Sequence, residues 1–233
     1  MRKTLQLFGV YILVLGLVVG LAAIGNSAAS DIAAQAPIKH RPCVIIDAGH
    51  GGIDGGATSC TGLLESNLNL EISIRLNDLL HLLGISTTMI RTDDRSVYTS
   101  GQTIAAQKVS DLKERVRIVN SMNDAVLISI HQNHFTDSRY HGAQVFYAAT
   151  DRSKDLANLL QNAFKKYLND NNKRASKQAN GVYLLDEINS TGVLIECGFL
   201  SNPVEEAKLK SADYQKKLCC IVAVELSTFL SNT

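Results

Sequence analysis

The chain contains no C-x-x-C pair, no G-x-S-x-G turn, no G-K-[ST] or G-x-G-x-x-G loop, no internal repeat and no excess of positive charge. Five cysteines, Cys43, Cys60, Cys197, Cys219 and Cys220, make an odd count without finger spacing, which supports neither a disulfide framework nor a zinc finger. Three of them fall inside apolar strand or helix patterns and read as small buried hydrophobes, while a disulfide involving Cys60 stays open. Lacking a nucleophile turn, the chain is not a serine hydrolase of the common kind, and lacking a phosphate loop it has no standard nucleotide site. Its net charge of +1 comes from 23 basic and 22 acidic residues scattered along the sequence, so no nucleic-acid partner is expected.

One long hydrophobic run is present. Arg2 and Lys3 precede an apolar stretch from Leu5 to Ile24, and the small residues Ser27 to Ser30 follow it. Residues 1 to 30 therefore read as a signal peptide or membrane anchor. Cleaved signals usually carry about 7 to 15 apolar residues, whereas about 20 span a bilayer, so the length favours an uncleaved anchor. In either case the rest of the chain is exported. Residues 31 to 41 form a linker, and 42 to 233 are enough for one domain with a full hydrophobic core.

Within that domain strands alternate with helices. Val44-Ile45-Ile46, Ala125 to Ile130 and Val193-Leu194-Ile195 are apolar runs in which Ser129 is the one polar residue, the pattern of strands buried on both faces. A helix is predicted from about Ser66 to Leu83, with Leu68, Ile72, Leu76, Leu79, Leu80 and Leu83 on its inner face and Gly84 stopping it. Thr92 to Gln107 reads as an exposed loop, and Asp111 as the cap of a helix through Asn120, with Leu112, Val116 and Val119 inside. Further elements are a strand near Ala143 to Ala148, a helix from Ser153 to Leu168 and a last helix from Asp213 to Leu230. The fold class is α/β, a single domain whose largely parallel or mixed central sheet carries helices on both faces, preceded by the N-terminal hydrophobic segment.

The three apolar runs end on chemistry. The first runs through Asp47-Ala48-Gly49 into His50 among glycines, the second into His131, and the third into Glu196; Glu65 stands just before the first helix. Open α/β sheets build their sites at such carboxyl ends. Two histidines and a carboxylate, with a second carboxylate nearby, are the parts of a catalytic zinc site and its general base. Each part also has an ordinary structural reading: His50 as a packing residue, Glu65 as a carboxylate favoured by the helix dipole, Glu196 as half of an ion pair with a lysine or arginine. His134 is a rival to His131, which ends the apolar run directly.

Asp47-Ala48-Gly49-His50-Gly51-Gly52, Glu65 opening a helix, Glu114-Arg115-Val116 before a strand, Ser129-Ile130-His131, and Glu196-Cys197-Gly198-Phe199-Leu200-Ser201-Asn202 follow one another in order. Together they resemble the zinc-dependent N-acetylmuramoyl-L-alanine amidases, from Val44 to Phe229. The compact anchor-plus-domain layout is most similar to the spore-cortex amidases of endospore formers.

The resemblance implies that residues 42 to 233 are a catalytic amidase domain cleaving the amide between N-acetylmuramic acid and L-alanine in peptidoglycan, in cortex maturation and muramic lactam formation. It implies zinc ligands at His50, Glu65 and His131, a catalytic carboxylate at Glu196, and an extracytoplasmic location at the membrane, the wall or the spore envelope. An activating lipoprotein or other envelope protein is the partner expected. The sequence departs from the family where Asn133 is followed by His134 and Phe135. A zinc peptidase acting within stem peptides and a non-catalytic wall-binding module are the alternatives.

Overall fold

The computed structural model describes residues 42–168 and 171–232; the predicted anchor and linker, and the localisation they imply, lie outside the described residues. Six strands, β1 (Cys43–Ala48), β2 (Thr87–Met89), β3 (Ala125–Asn133), β4 (Gln144–Tyr147), β5 (Lys177–Gln178) and β6 (Thr191–Phe199), form one sheet in the order β2-β1-β3-β6-β4-β5. From β2 to β6 the pairing is parallel, and β4 runs antiparallel to β6, so the sheet is mixed.

The runs do not alternate apolar with polar because both faces of this sheet are covered. Val44, Ile46, Val126, Ile128, Val193 and Ile195 point one way, into a core with Leu68, Ile72, Leu76 and Leu80 of α1 (Glu65–Leu82). Residues one step along, Ile45, Leu127 and Leu194, enter a second core on the opposite face. That second core is closed by Val119 of α2 (Ile104–Asn120) and by Leu184 and Leu185 of a short helix. The first core is completed by α3 (Ser153–Ala163), that short helix being α4 (Tyr183–Glu187), then α5 (Pro203–Leu209) and α6 (Ala212–Ser231). Among the described residues no helix is long and apolar enough to cross a membrane.

Several local expectations change. Helix α2 starts at Ile104, inside the stretch read as a loop, and Thr103 caps it by accepting from the Ala106 N–H. The first turns carry Ile104 and Val109 exposed, so no apolar period marks them. Asp111 is not a cap; its carboxylate accepts from the Val97 N–H and pairs with Arg115. Leu83 sits past the end of α1 and is exposed, and Gly84, at φ +71°, turns the chain away as expected. The predicted Ser153 to Leu168 helix is α-helical to Ala163 and widens to a π turn over Phe164–Leu168. All five cysteines are free thiols; Cys197 and Cys219 are buried, Cys43 half-buried, and Cys60 and Cys220 exposed.

Candidate active site

After β1 the chain enters a tight loop in which His50 adopts φ +61°, a left-handed conformation that costs a non-glycine residue on the order of 1–3 kcal/mol. Two buried arginines hold the loop there. Arg91 donates to the carbonyls of Ala48 (2.8 Å) and Gly49 (3.0 Å), and Arg115 to those of Ala48 (3.0 Å) and His50 (2.7 Å). Arg115 is itself fixed by ion pairs to Asp47 and Asp111, and Asp47 also accepts from the Ser129 hydroxyl at 2.7 Å.

The ring of His50 is oriented from outside. Its Nδ1–H donates to Asp54 at 2.7 Å, which leaves Nε2 facing Glu65 Oε2 at 3.3 Å. Lys108 in turn pairs with Asp54 at 2.7 Å. Glu65, at the first position of α1, is buried; it accepts from the backbone N–H groups of Ala57 (3.0 Å) and Gln132 (3.1 Å) and from Asn69 (3.2 Å). His131 Nδ1 lies 2.9 Å from its other oxygen, and the two imidazoles meet edge to face at 4.9 Å. One donor atom from each of His50, Glu65 and His131 lies within 4.8 Å of the others, a group that could hold a metal ion. His134 is outside it, beyond the register shift that β3 makes between His131 and Asn133.

Glu196 stands beside this group. Cross-strand partners share a face, and Glu196 pairs with His131 on one side and Gln144 on the other, so the three side chains form a row across β3, β6 and β4. Its Oε2 is buried without a hydrogen-bond partner among the described residues, and no lysine or arginine among them forms an ion pair with it. The structural reading of Glu196 as half of a salt bridge therefore fails.

Electrostatics follow from this crowding. Burial, reinforced by the negative charge of Glu65, raises the pKa of Glu196 to about 7 against the pull of His131, His50 and Arg174. Burial opposes a charge on His50 too, but Glu65 and then Asp54 outweigh it and lift its pKa to about 9. The same contact, with His131 contributing most, overcomes the burial of Glu65 and holds its carboxyl far below the usual range. A carboxylate flanked by two imidazoles, beside a second carboxylate that keeps its proton near neutrality, suits a nitrogen-and-oxygen-ligated cation and a proton acceptor. A cleft of about 210 Å³ beside His50 and His131 is also lined by Leu112, Tyr183, Leu184 and Leu194.

The structure thus brings His50, Glu65, His131 and Glu196 together. Reasoning from the sequence missed Asp47, Asp54, Asn69 and Arg91. Asp47 and Arg91 carried a usable signal, an ionisable residue ending or interrupting an apolar strand, which is the signal that singled out Glu196. The loop also explains Gly49: a Cβ there would lie 2.2 Å from His131 Nε2. Gly49→Ala is therefore expected to displace the His131 ring and weaken metal binding roughly 10- to 100-fold, the range for lost support of a ligand, with circular dichroism unchanged. Isothermal titration with zinc measures it.

Fold and geometry define the class, a mixed α/β protein with a histidine and glutamate centre at the carboxyl ends of its parallel strands. A family model described as N-acetylmuramoyl-L-alanine amidase matches residues 44–225, and the chain belongs to that family. The germination-specific N-acetylmuramoyl-L-alanine amidase of Bacillus subtilis (strain 168) is 35% identical over 177 residues, covering 75% of this chain and 74% of the relative. Among solved structures, the CwlD amidase from Clostridioides difficile in complex with the GerS lipoprotein matches with a TM-score of 0.79 and 36% identity, over 82% of this chain and all (100%) of that one. An N-acetylmuramoyl-L-alanine amidase from Clostridium difficile 630 matches with a TM-score of 0.71 and 33% identity, over 84% of this chain and 100% of that one. Family membership decides among the readings of the sequence: the protein is an N-acetylmuramoyl-L-alanine amidase acting on peptidoglycan, rather than a peptidase or a binding module.

Proposed function

We propose that His50, Glu65 and His131 hold a zinc ion and that Glu196 is the proton-transfer group in hydrolysis of the amide between N-acetylmuramic acid and L-alanine. The observation that carries this is the convergence of one donor atom from each of the three residues within 4.8 Å, beside a buried carboxylate oxygen with no partner. The residues fit the ion: two imidazoles and one carboxylate are the donor set of an open hydrolytic zinc site, and Asp54 engages Nδ1 of His50, so that Nε2 is the nitrogen turned toward Glu65. When bound, zinc supplies a Lewis acid for the amide carbonyl and lowers the pKa of water in its open position.

The chain's own residues do the rest. Glu196, kept neutral or anionic around pH 7 by its burial, accepts a proton from the attacking water and returns it to the alanine nitrogen as the C–N bond breaks. Arg91 and Arg115 keep the His50 loop in its strained form, so the ligand is in place before any metal arrives.

The test is metal analysis of the full-length chain. One zinc per chain is expected, with loss of amidase activity on chelation and return on adding zinc, and His131→Ala is expected to bind less than a tenth of an equivalent. Full activity without metal, or a full equivalent of zinc in His131→Ala, would overturn the assignment.

The relatives support a finer reading: action on spore cortex in preparation for germination, at an extracytoplasmic surface reached through the apolar run Leu5 to Ile24, with an envelope lipoprotein as activating partner. Deleting the gene is expected to remove muramic lactam from spore cortex; unchanged lactam would refute the cortex role.

A further inference from the structure

Beyond Glu196 the row of side chains continues to an arginine that the catalytic account does not use. Gln144, the β4 partner of Glu196, accepts from Arg174 Nη1 at 2.7 Å, and Arg174 Nε donates to the His141 carbonyl at 2.9 Å. The guanidinium lies over the Phe199 ring, 4.5 Å from its centroid. Three contacts to neutral groups thus fix its plane.

No carboxylate among the described residues forms an ion pair with it. The buried Glu205 spends Oε2 on the N–H groups of Gly142 and Phe199, both at 2.9 Å. Arg174 Nη2 has no hydrogen-bond partner among the described residues. It lines a cavity of about 760 Å³ together with Asp137, Arg139, Tyr140, His141 and Lys173, in which Asp137 is already paired with Arg139 at 2.7 Å. Among the described residues, the charges that face the cavity without an ion-pair partner are those of Lys173 and Arg174.

We propose that Arg174 is a specificity-determining residue that binds a free carboxylate on the peptide side of the substrate. A planar guanidinium with unspent N–H donors, already immobilised, matches a carboxylate at little further entropic cost. Distance selects the peptide residue. The scissile carbonyl lies between His131 and Glu196, about one and a half strand spacings or roughly 7 Å from Gln144, and an extended peptide advances about 3.4 Å per residue, so a carboxylate on the second residue comes to Gln144 and the Arg174 guanidinium bonded to it. This rests on the amidase reading, and the test separates the two.

Full-length protein with zinc is assayed on two synthetic muramoyl tripeptides that differ only at the second residue, which carries either a free carboxylate or the corresponding amide. Wild type is expected to cleave both before L-alanine and to prefer the acid. Arg174→Ala is expected to raise KM for the acid about tenfold or more, to leave kcat within about twofold, and to leave the amide unchanged, with Arg174→Lys recovering part of the loss. An equal rise in KM on both substrates, or a fall in kcat alone, would overturn the carboxylate assignment. If wild type cleaves neither substrate, it is the amidase reading that fails.

Discussion

Glu196→Gln is expected to lower kcat for peptidoglycan hydrolysis by about 10² to 10⁴ while leaving zinc content at one per chain. The magnitude is that of a lost general acid–base group, since the amide keeps the shape of the carboxyl but can no longer shuttle a proton. Metal content holds because Glu196 is outside the group formed by His50, Glu65 and His131. Stability is expected to hold or rise, because the wild-type side chain buries an oxygen without a partner and the variant carries no charge to desolvate. Steady-state kinetics, metal analysis and a thermal melt on the same preparation test all three parts. Activity within tenfold of wild type would remove Glu196 from the chemistry, and a loss of zinc would make it a ligand instead.

Asp47→Asn is expected to destabilise the protein by about 3 kcal/mol at pH 7, the lower end of the cost of breaking a buried ion pair because Asp111 still faces the Arg115 guanidinium, against a total stability of roughly 5–15 kcal/mol. Asp47 and Arg115 are 1% and 2% exposed, so solvent cannot replace the lost charge. The pH dependence has a definite sign. Burial alone would raise the pKa of Asp47, but Arg115 above all, then His131 and the Ser129 hydroxyl, bring it below the ordinary value. A carboxylate whose folded pKa is depressed stabilises fully above its unfolded pKa of about 3.9 and loses that stabilisation as pH falls through the folded value. The gap between wild type and Asp47→Asn in urea unfolding should be flat from about pH 5 to 7 and shrink below about pH 4. A gap under about 1 kcal/mol at pH 7, or one that widens on acidification, would show that the pair does not brace the loop.

These two residues also show what the sequence made legible. Strands such as Val44 to Ile46 stood out because helices cover both faces of the sheet and successive positions are all buried against one core or the other. By the same logic an ionisable residue inside such a strand demands a partner, and this picked out Glu196. Asp47, set in the same kind of strand, obeys the rule with a different outcome, an arginine contributed by α2. No local pattern could reveal that partner, because 68 positions separate the two residues and only the packing of α2 on the sheet brings them together.

Glu65 was ambiguous from spacing, as any carboxylate in a first helical turn is, and only the ordered set of motifs raised it above that. The first turns of α2 and the short α5 escaped detection for a different reason. Ile104, Val109 and Val204 face solvent, so the period that marks a buried helix is missing. Asp54, which orients His50 from within the glycine loop, left no trace in composition or spacing.

Mass spectrometry of the soluble products released from purified peptidoglycan by the full-length chain with zinc, beside Glu196→Gln, tests the account most directly. Intact stem peptides with a free L-alanine amino terminus, released by wild type and reduced at least about a hundredfold in the variant, are the predicted result. Fragments cut within the peptide, or release undiminished in Glu196→Gln, would contradict it.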